Sequence, residues 1–319
     1  MNTVIFGGSG FVGSRLARLL VEAGGHVTIP TRDRERAKRN LIVLPNTDLV
    51  GCDPTNARSV ETLCNNADVV INLLGVLHET SNASFEKIHV DCVRLISDAA
   101  SRSGRVRHLL HVSAINATPG APSKYLRSKG KGEALISKLR RPNWTIIRPS
   151  LLFGEGSDFC ALVRWQIDRL PVLALPCAAA RFQPLHVDDL ARMIAGCIFD
   201  PQVYGKALLA GGPDKLSLRE IYDAFQAVAG RKRVIVPLPP SLSGLMAGCM
   251  ELVPFLPPLL TRDNVASMSL PKVCEAGNGA ERIDGQLISL ADFLAATRLR
   301  QDSARALEYR RFRHGARRG

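Results

Sequence analysis

The sequence has few aromatic residues, which make up 5% of its 319 positions, and its eight cysteines include no CxxC pair. Few aromatic side chains, with no interleaving of basic and aromatic residues, argue against a nucleic-acid-binding protein. Scattered cysteines argue against a disulfide framework or a zinc site and favour a reducing compartment. We therefore expect neither a metal site nor a nucleic-acid partner.

Long apolar runs are also missing. The nearest candidate for a membrane span, residues 234–260, is interrupted by six prolines, which exclude an ordinary spanning helix. The first residues lack the charged and apolar regions of a targeting segment. We expect a cytoplasmic protein that is either soluble or attached peripherally to the inner face of the cell membrane.

Positive charge is in excess, since Lys+Arg 42 against Asp+Glu 29 gives a formal net charge of +13. This excess favours anionic partners such as phosphorylated cofactors or an anionic membrane surface. Eight arginines lie in residues 298–319, which we expect to form a disordered basic tail. Together with the apolar residues 234–260, the tail predicts docking on a membrane-bound complex or on the membrane itself. The alternative is that Leu242–Val253 is a helix packed on the protein's own core.

Apolar runs alternate with helical periods along the first half of the chain. The pattern predicts strands at residues 4–6, 26–30, 41–44, 49–50, 68–74, 106–112 and 144–148, with helices at 11–23, 33–39, 58–64, 85–101 and 123–139. Strands that are apolar on both faces and alternate with helices indicate a parallel sheet covered on both sides. After Pro149, prolines become frequent and strands sparse.

The predicted fold class is therefore α/β, with a doubly wound parallel sheet (Rossmann fold) and a smaller mixed lobe at the C-terminal end. We place the nucleotide-binding domain at residues 1–150 and the lobe at 151–297, with the chain returning to the sheet near 180–200. Residues 298–319 are the basic tail.

A glycine-rich turn follows the first predicted strand, with Gly7, Gly10 and Gly13 spaced by three. The spacing alone is a weak signal, but its position between a strand and a helix indicates dinucleotide binding. Glycines allow the tight turn, the approach of a pyrophosphate and close helix packing, while the helix N-terminus offers free N–H groups. A tight turn without a ligand is the alternative.

The end of the second predicted strand indicates which dinucleotide binds. Arg32 stands there, followed by Arg34, Arg36, Lys38 and Arg39. A carboxylate would bind the ribose 2′-hydroxyl of NAD, whereas the planar guanidinium of arginine matches a 2′-phosphate, and Asp33 alone is poorly placed to exclude one. The sequence favours NADP(H) over NAD(H), unless these residues are only the solvated face of a short helix.

Tyr125 and Lys129 lie four residues apart, on one face of a helix predicted to begin near Ser123. An ammonium beside a phenol is expected to lower the pKa of the phenol, which would make Tyr125 a usable acid or base. Ser113, at the end of the preceding predicted strand, could hydrogen-bond a substrate. Tyr125, Lys129 and Ser113 are therefore the candidate catalytic residues, although Lys129 could serve only to hold the nicotinamide ribose.

The order of these motifs resembles the extended and atypical branches of the short-chain dehydrogenase/reductase superfamily over about the first 200 residues. The resemblance rests on GGSGFVG at 7–13, Cys52-Asp53-Pro54, Asn72-Leu73-Leu74-Gly75, Ser113, the YxxxK pair and Ile147-Arg148-Pro149. The helix YLRSKGKGE, the segment FQPLHVDDLA and residues 260–264 are similar to the nucleotide-binding accessory subunit of respiratory complex I.

The resemblance implies roles in nucleotide binding for the residues that match. The turn residues that would bind the cofactor are Gly7, Ser9, Gly10, Phe11, Val12 and Gly13. Arg32 would hold the 2′-phosphate, and Asp53 the adenine amino group. Leu74 and Gly75 would lie beside the ribose, Tyr125 and Lys129 would reach the nicotinamide ribose, and the backbone after Pro149 would meet the carboxamide.

Two departures from the superfamily's enzymes bear on activity. His89 stands where those enzymes usually have Asn, and Gly130 and Gly132 weaken the helix that carries Tyr125, by up to ~1 kcal/mol each relative to Ala. In the complex I branch, a nucleotide is held without known turnover. We therefore expect an NADP(H)-binding accessory or assembly protein associated with complex I or the membrane. The alternative is an NADPH-dependent oxidoreductase or epimerase acting on a small carbonyl or nucleotide-sugar substrate.

Other polar residues are interpreted as structural. Asp188 and Asp189 precede a predicted helix at residues 190–199 and are expected to cap it rather than to bind a metal ion. His108 and His111 flank a predicted strand and are expected to be structural.

Overall fold

The computed structural model describes residues 1–41, 44–80, 83–239 and 261–298. Its strands are β1 (Asn2–Phe6), β2 (His26–Thr31), β3 (Thr47–Gly51), β4 (Val69–Asn72), β5 (His108–Val112), β6 (Asn143–Pro149), β7 (Leu152–Phe153), β8 (Val172–Pro176), β9 (Arg181–Phe182), β10 (Leu185–His186), β11 (Lys206–Ala210), β12 (Leu216–Ser217) and β13 (Val234–Leu238).

Its α-helices are α1 (Phe11–Glu22), α2 (Arg34–Leu41), α3 (Ala57–Asn65), α4 (Cys92–Arg102), α5 (Lys124–Ile136), α6 (Asp158–Arg169), α7 (Val187–Gly196), α8 (Leu218–Ala229) and α9 (Arg262–Met268). A π-helical turn at Lys87–Asp91 precedes α4, and short 3-10 turns lie at Pro201–Val203 and Gly279–Arg282. Residues 290–298 are also helical.

Seven parallel strands form the central sheet, in the order β11-β6-β5-β4-β1-β2-β3. The chain builds outward from β1 to β3, then crosses to β4 and builds in the opposite direction. All four residues of β4 are buried, which explains why its sequence is a continuous apolar run. The doubly wound α/β fold is confirmed. The crevice between β1 and β4, where the winding reverses, is where open sheets of this kind bind ligands.

Alternate residues of the strands build two cores, one on each face of the sheet. On one face Ile5, Ile71 and Leu110 pack with apolar residues of α1, α2 and α7. On the other, Val70 and Leu109 pack with α3, α4 and α5. Both faces are therefore covered by helices, as the apolar strands predict.

A third core cluster lies in the later part of the chain, around Phe153, Phe182, Ile221, Phe225 and Ile235. It joins α6, α8 and the parallel pair of β8 and β13. The sheet also takes in later segments, because α7 packs on α1 and β11 pairs with β6. The predicted boundaries near 150 and 297 stay predictions. Residues 240–260 and 299–319, which contain most of the predicted docking segment and the tail, lie outside the described residues.

Three sequence predictions for local structure need correction. Leu41, predicted to begin a strand, ends α2 and is buried in the first core. The helix predicted at 85–101 contains the π-helical turn before α4. The strand predicted at 68–74 ends at Asn72, because the Asn72 side chain accepts the Leu74 N–H at 3.0 Å and turns the chain out of the sheet.

The seven cysteines within the described ranges are free thiols. In the same ranges, no three His, Cys, Asp or Glu side chains form a group that could hold a metal ion. Among the helices that the structure describes, none has the length and apolar character needed to cross a bilayer.

Candidate functional site

The glycine-rich turn joins β1 to α1 at the carboxyl edge of the sheet. Gly7 has a φ of +82°, and a Cβ there would lie 3.0 Å from the Leu73 backbone carbon, so only glycine fits where the turn meets the loop after β4. Ser9 and Gly10 complete the turn, and Phe11 and Val12 begin α1.

The start of α1 is open to an anion. Its N-cap is Gly10, which provides no side-chain hydrogen bond; no side chain of the described residues accepts its first N–H groups, and its first turn contains no acidic residue. Gly13 is required for packing, because a Cβ there would overlap the backbone of Gly7 and Gly8. Free N–H groups at a helix N-terminus fit a phosphate, so the residues of this turn suit a dinucleotide.

Arg32 follows directly after β2 and is exposed. Within the described ranges, no ion pair or hydrogen bond engages its guanidinium. The neighbouring Asp33 uses a carboxylate oxygen to accept the Arg36 N–H at 2.9 Å, at the start of α2. The cation is therefore available to a ligand, whereas the carboxylate next to it is committed to the helix.

Asp53 lies just beyond β3 and is exposed. One of its oxygens accepts the Thr55 N–H at 3.0 Å and the Thr55 hydroxyl at 2.8 Å. These hydrogen bonds lower the pKa of Asp53, and the charges of Lys87 and Arg32 lower it further. The structure thus places Asp53 and Arg32 close enough for their charges to interact.

The buried ammonium of Lys129 links the loops that follow β4 and β5. Its Nζ donates to the Leu74 carbonyl at 3.2 Å and to the Val112 carbonyl at 3.1 Å. Gly75 is exposed, and a Cβ there would lie 3.2 Å from the same Nζ, so glycine lets the loop approach the cation. Burial lowers the pKa of Lys129 to about 8, while the charge of Glu133 acts in the opposite direction.

Tyr125 stands one helical turn before Lys129 on α5. Its hydroxyl has no hydrogen-bond partner among the residues that the structure describes. Burial raises the pKa of Tyr125 to about 12. The predicted lowering of this pKa by Lys129 is therefore wrong, because burial of the phenol outweighs any effect of the ammonium.

Two buried polar atoms at this edge have no partner in the described part of the chain, the Ser113 hydroxyl and Nε2 of His111. Buried polar groups are nearly always hydrogen-bonded, so unpaired ones indicate where a ligand or water supplies partners. The other ring nitrogen of His111, Nδ1, lies 3.2 Å from Nδ2 of Asn72. Burial lowers the pKa of His111 to about 3, with a further contribution from Lys129.

His89, in the π-helical turn, connects the loop after β4 to α5. Its Nε2 accepts the Val76 N–H at 3.0 Å, so the neutral ring carries its proton on Nδ1, which lies 2.8 Å from the Ser128 hydroxyl. That hydroxyl donates to the Tyr125 carbonyl at 2.8 Å. Burial lowers the pKa of His89 to about 2, so the residue is a neutral connector.

Pro149 ends β6 in a buried position. Its carbonyl accepts the Ile115 N–H at 3.2 Å, and the next N–H, that of Ser150, donates to the Ala210 carbonyl at 2.8 Å. The Pro149 carbonyl and the Ser150 N–H are therefore already bonded. A carboxamide would have to contact backbone groups later in the chain.

The structure thus brings most of the predicted site residues to one edge of the sheet. The glycine turn, the loop at Leu74 and Gly75, Ser113, Tyr125 and Lys129 all follow β1, β4 or β5, while Arg32 and Asp53 follow β2 and β3. Whether each residue contacts a nucleotide stays a prediction.

Sequence reasoning gave no site role to two polar residues. Asn72, the last residue of β4, stood out only as part of the motif Asn72-Leu73-Leu74-Gly75, and His111 of β5 was expected to be structural. His108 is structural as predicted: its Nε2 lies 3.0 Å from the Thr145 hydroxyl, and its Nδ1 accepts the Phe199 N–H at 3.2 Å. His111, three residues later on the same strand, faces the site instead.

The predicted cap of α7 is wrong. His186 is the N-cap, and its side chain accepts the Asp188 N–H at 3.3 Å. Asp189 is fully buried and pairs with Arg192, and it also accepts the Ile288 N–H at 2.8 Å. The Asp189 carboxylate therefore fastens α7 to a later segment rather than serving as a cap.

Comparison with known proteins agrees with this geometry. A family model described as NAD(P)H-binding matches residues 7–164. Among solved structures, a nucleoside-diphosphate-sugar epimerase from Staphylococcus aureus superposes with a TM-score of 0.73 at 18% identity, covering 92% of this chain and 99% of the epimerase. At that identity, the likeness concerns the fold.

Proteins similar in sequence identify the family more narrowly than the shared fold does. Mitochondrial NADH dehydrogenase (ubiquinone) 1 alpha subcomplex subunit 9 of Mus musculus is 30% identical over 275 residues, covering 84% of this chain and 72% of the mouse protein. The protein of the same name from Dictyostelium discoideum is 32% identical over 224 residues, covering 69% of this chain and 61% of its own length. The chain belongs to the family of NADH dehydrogenase (ubiquinone) 1 alpha subcomplex subunit 9, and its first half is an NAD(P)H-binding domain.

Proposed function

We propose that this protein holds NADP(H) without turning it over and serves as an accessory or assembly protein of respiratory complex I. The observation that carries the first part is the arrangement of Tyr125 and Lys129. The ammonium donates to two backbone carbonyls, and the phenol has a raised pKa. An acid or base needs a pKa near the working pH, so this arrangement supports holding a ligand better than moving protons.

The residues of the site have distinct roles in this proposal. The N–H groups at the start of α1 bind the pyrophosphate. Lys129 has three N–H donors, two of which go to the Leu74 and Val112 carbonyls, so one is left for a ribose hydroxyl. Ser113 and His111 offer unpaired buried polar atoms at the same edge. The bound nucleotide would supply hydride chemistry only if a substrate also entered.

The choice of NADP(H) over NAD(H) rests on Arg32. Its guanidinium is exposed and unengaged among the described residues, while Asp33, the nearest carboxylate in sequence, accepts a helix N–H. A free guanidinium favours a 2′-phosphate, and a committed carboxylate offers little to a 2′-hydroxyl.

The proposed association with complex I rests on the family and on one surface. β8 and β13 pair in parallel with Val172 opposite Val234. Leu173 and Ile235 face the third core cluster, while Val172, Val234 and Val236 point outward and are 48%, 64% and 42% exposed. Adjacent outward valines on paired strands form an apolar patch, which we call the valine patch.

Cations surround one end of the valine patch. Arg169, Arg231 and Lys232 are exposed and lie within three residues of the starts of the two strands, whose register places these residues at the same end. Asp168 offsets part of this charge, since it lies 3.6 Å from Arg231 and 2.9 Å from Arg164. An apolar patch with a cationic rim suits a partner with an apolar and acidic surface.

The first prediction concerns turnover. Purified protein supplied with NADPH and a panel of small carbonyl compounds and nucleotide-sugars should show no hydride transfer above that of Tyr125→Phe, measured by absorbance of the reduced nicotinamide. Tyr204→Phe, outside the site, is the matched control. Hydride transfer that falls at least about a hundredfold in Tyr125→Phe alone would contradict the proposal and establish an oxidoreductase or epimerase.

The second prediction concerns cofactor choice. Arg32→Asp should reduce the preference for NADPH over NADH by about 10- to 100-fold, because a charge-assisted contact worth about 1.5–3 kcal/mol is replaced by repulsion. Dissociation constants from calorimetry measure the ratio. Arg18→Asp, on the exposed side of α1, makes the same change of charge and should leave it unaltered. An unchanged ratio in Arg32→Asp means that Arg32 does not contact the 2′-phosphate.

The third prediction concerns docking. The full chain should co-migrate with complex I on native gels of detergent-solubilised membranes, and Val172→Glu/Val234→Glu should lose most of this association. Leu77→Glu, which charges an exposed apolar residue elsewhere (60% exposed), should retain it. Failure to co-migrate, or equal loss in both variants, contradicts docking through the valine patch. If the full chain binds protein-free anionic vesicles as well as it binds membranes that contain complex I, the membrane is the partner instead.

A further inference from the structure

A segment from the later part of the chain crosses the carboxyl edge of the central sheet. We call residues 261–272, which include α9, the crossing segment. The Asn116 side chain, after β5, donates to the Pro271 carbonyl at 2.8 Å. The Ser150 hydroxyl, after β6, donates to the Lys272 carbonyl at 2.6 Å. The crossing segment is therefore fastened to two loops that border the proposed nucleotide site.

The third attachment of the crossing segment is to the helix that carries Tyr125 and Lys129. One carboxylate oxygen of Asp263 accepts the Lys124 N–H at 2.5 Å, and the other accepts the Tyr125 N–H at 3.0 Å. The Ser123 hydroxyl accepts the next N–H, that of Leu126, at 3.1 Å. The first three N–H groups of α5, which no residue within the helix could satisfy, are thus all bonded.

The helix α5 needs this support because two glycines weaken it. A Cβ at Gly130 would overlap the Thr118 backbone, and one at Gly132 would overlap the His89 carbonyl oxygen. Close packing therefore requires both glycines, each of which costs up to ~1 kcal/mol relative to Ala in a helix. A carboxylate at the N-terminus acts in the opposite direction, since it satisfies N–H groups and complements the helix dipole.

The crossing segment also belongs to the third core cluster. Met268 packs against that cluster, and Lys272 forms a parallel bridge with Phe182, one of its buried members. A continuous set of contacts therefore runs from the third core cluster through Asp263 to the N–H of Tyr125. Lys129, one turn further, holds the loops after β4 and β5.

We propose that Asp263 is a positioning residue that couples nucleotide binding to docking of the crossing segment. A nucleotide that orders α5 stabilises the N-terminus that Asp263 binds, and a docked Asp263 in turn holds Tyr125 and Lys129 in place for the nucleotide. Such coupling is reciprocal, because each event must favour the other by the same factor. The inference rests on the proposed holding of a nucleotide, but neither on its being NADP(H) nor on a complex I partner.

The coupling gives the bound nucleotide a structural role. It would set how firmly the crossing segment sits on the sheet, and through Met268 and Lys272 it would act on the third core cluster, which also supports the valine patch. Nucleotide occupancy would then determine whether the surface proposed to meet a partner is held in its docked arrangement.

Hydrogen–deuterium exchange on the full chain tests this coupling. In the unsubstituted protein, saturating NADPH should slow exchange at the amides of α9 and of the first turn of α5, relative to the same protein freed of its bound nucleotide. Asp263→Asn removes the negative charge and one N–H acceptor. It should raise the dissociation constant of NADPH at least about fivefold and should abolish the nucleotide-dependent slowing in α9. Asp292→Asn, an exposed carboxylate that accepts the Ser289 hydroxyl at 2.6 Å, is the matched control and should change neither quantity.

The outcomes separate this inference from the proposed function. If NADPH binds but leaves exchange in α9 of the unsubstituted chain unchanged, the coupling is overturned while nucleotide holding stands, and this comparison needs no variant. Equal slowing in the unsubstituted chain and in Asp263→Asn also overturns it. A variant that is merely less stable would exchange faster throughout yet keep its response to NADPH. If no nucleotide binds the unsubstituted chain, both proposals fail.

Discussion

The buried ammonium of Lys129 needs hydrogen-bond acceptors and space, and the surrounding loops provide both. A charge taken out of water needs hydrogen bonds, and Lys129 obtains them from the Leu74 and Val112 carbonyls. The loops after β4 and β5 must therefore bring these two carbonyls to the ammonium, and Gly75 must leave room for the cation. His89 and His111, which lie near Lys129, are buried and neutral, because burial and the Lys129 charge hold their pKa values low. Neither histidine therefore adds a positive charge beside the cation.

In the proposed function, this arrangement separates holding a nucleotide from using it. In that proposal, the glycine turn, the N-terminus of α1 and Arg32 supply contacts that need no proton transfer, whereas burial raises the pKa of the Tyr125 phenol. The helix that carries both residues is weakened by glycines and bonded at its start by Asp263, from another part of the chain. A site built this way depends on the later segments of the protein being in place, which suits a subunit whose nucleotide contributes to structure.

Much of the fold was predictable from the sequence, because apolar strands that alternate with helical periods identify a doubly wound sheet without knowledge of any contact. The positions of the glycine turn and Arg32 after strands were likewise readable, while their contacts with a nucleotide stay predictions. The Tyr125 pKa was not, because the YxxxK spacing places Lys129 on the same face but does not say how deeply the phenol is buried. His108 and His111 look alike in sequence, and only packing shows that one faces Thr145 and the other Asn72. The contact between Asp263 and Tyr125 joins residues 138 positions apart, beyond the reach of local pattern.

The central claim is that the nucleotide is a retained component of the folded protein. Mass spectrometry of small molecules released by denaturing the purified, extensively dialysed chain tests it most directly. The account predicts NADP(H) in near-stoichiometric amount, since the contacts at the glycine turn, Arg32 and Lys129 act together and no turnover expels the ligand. Absence of any dinucleotide from freshly purified protein, with only rapidly reversible binding when NADPH is added, would contradict it.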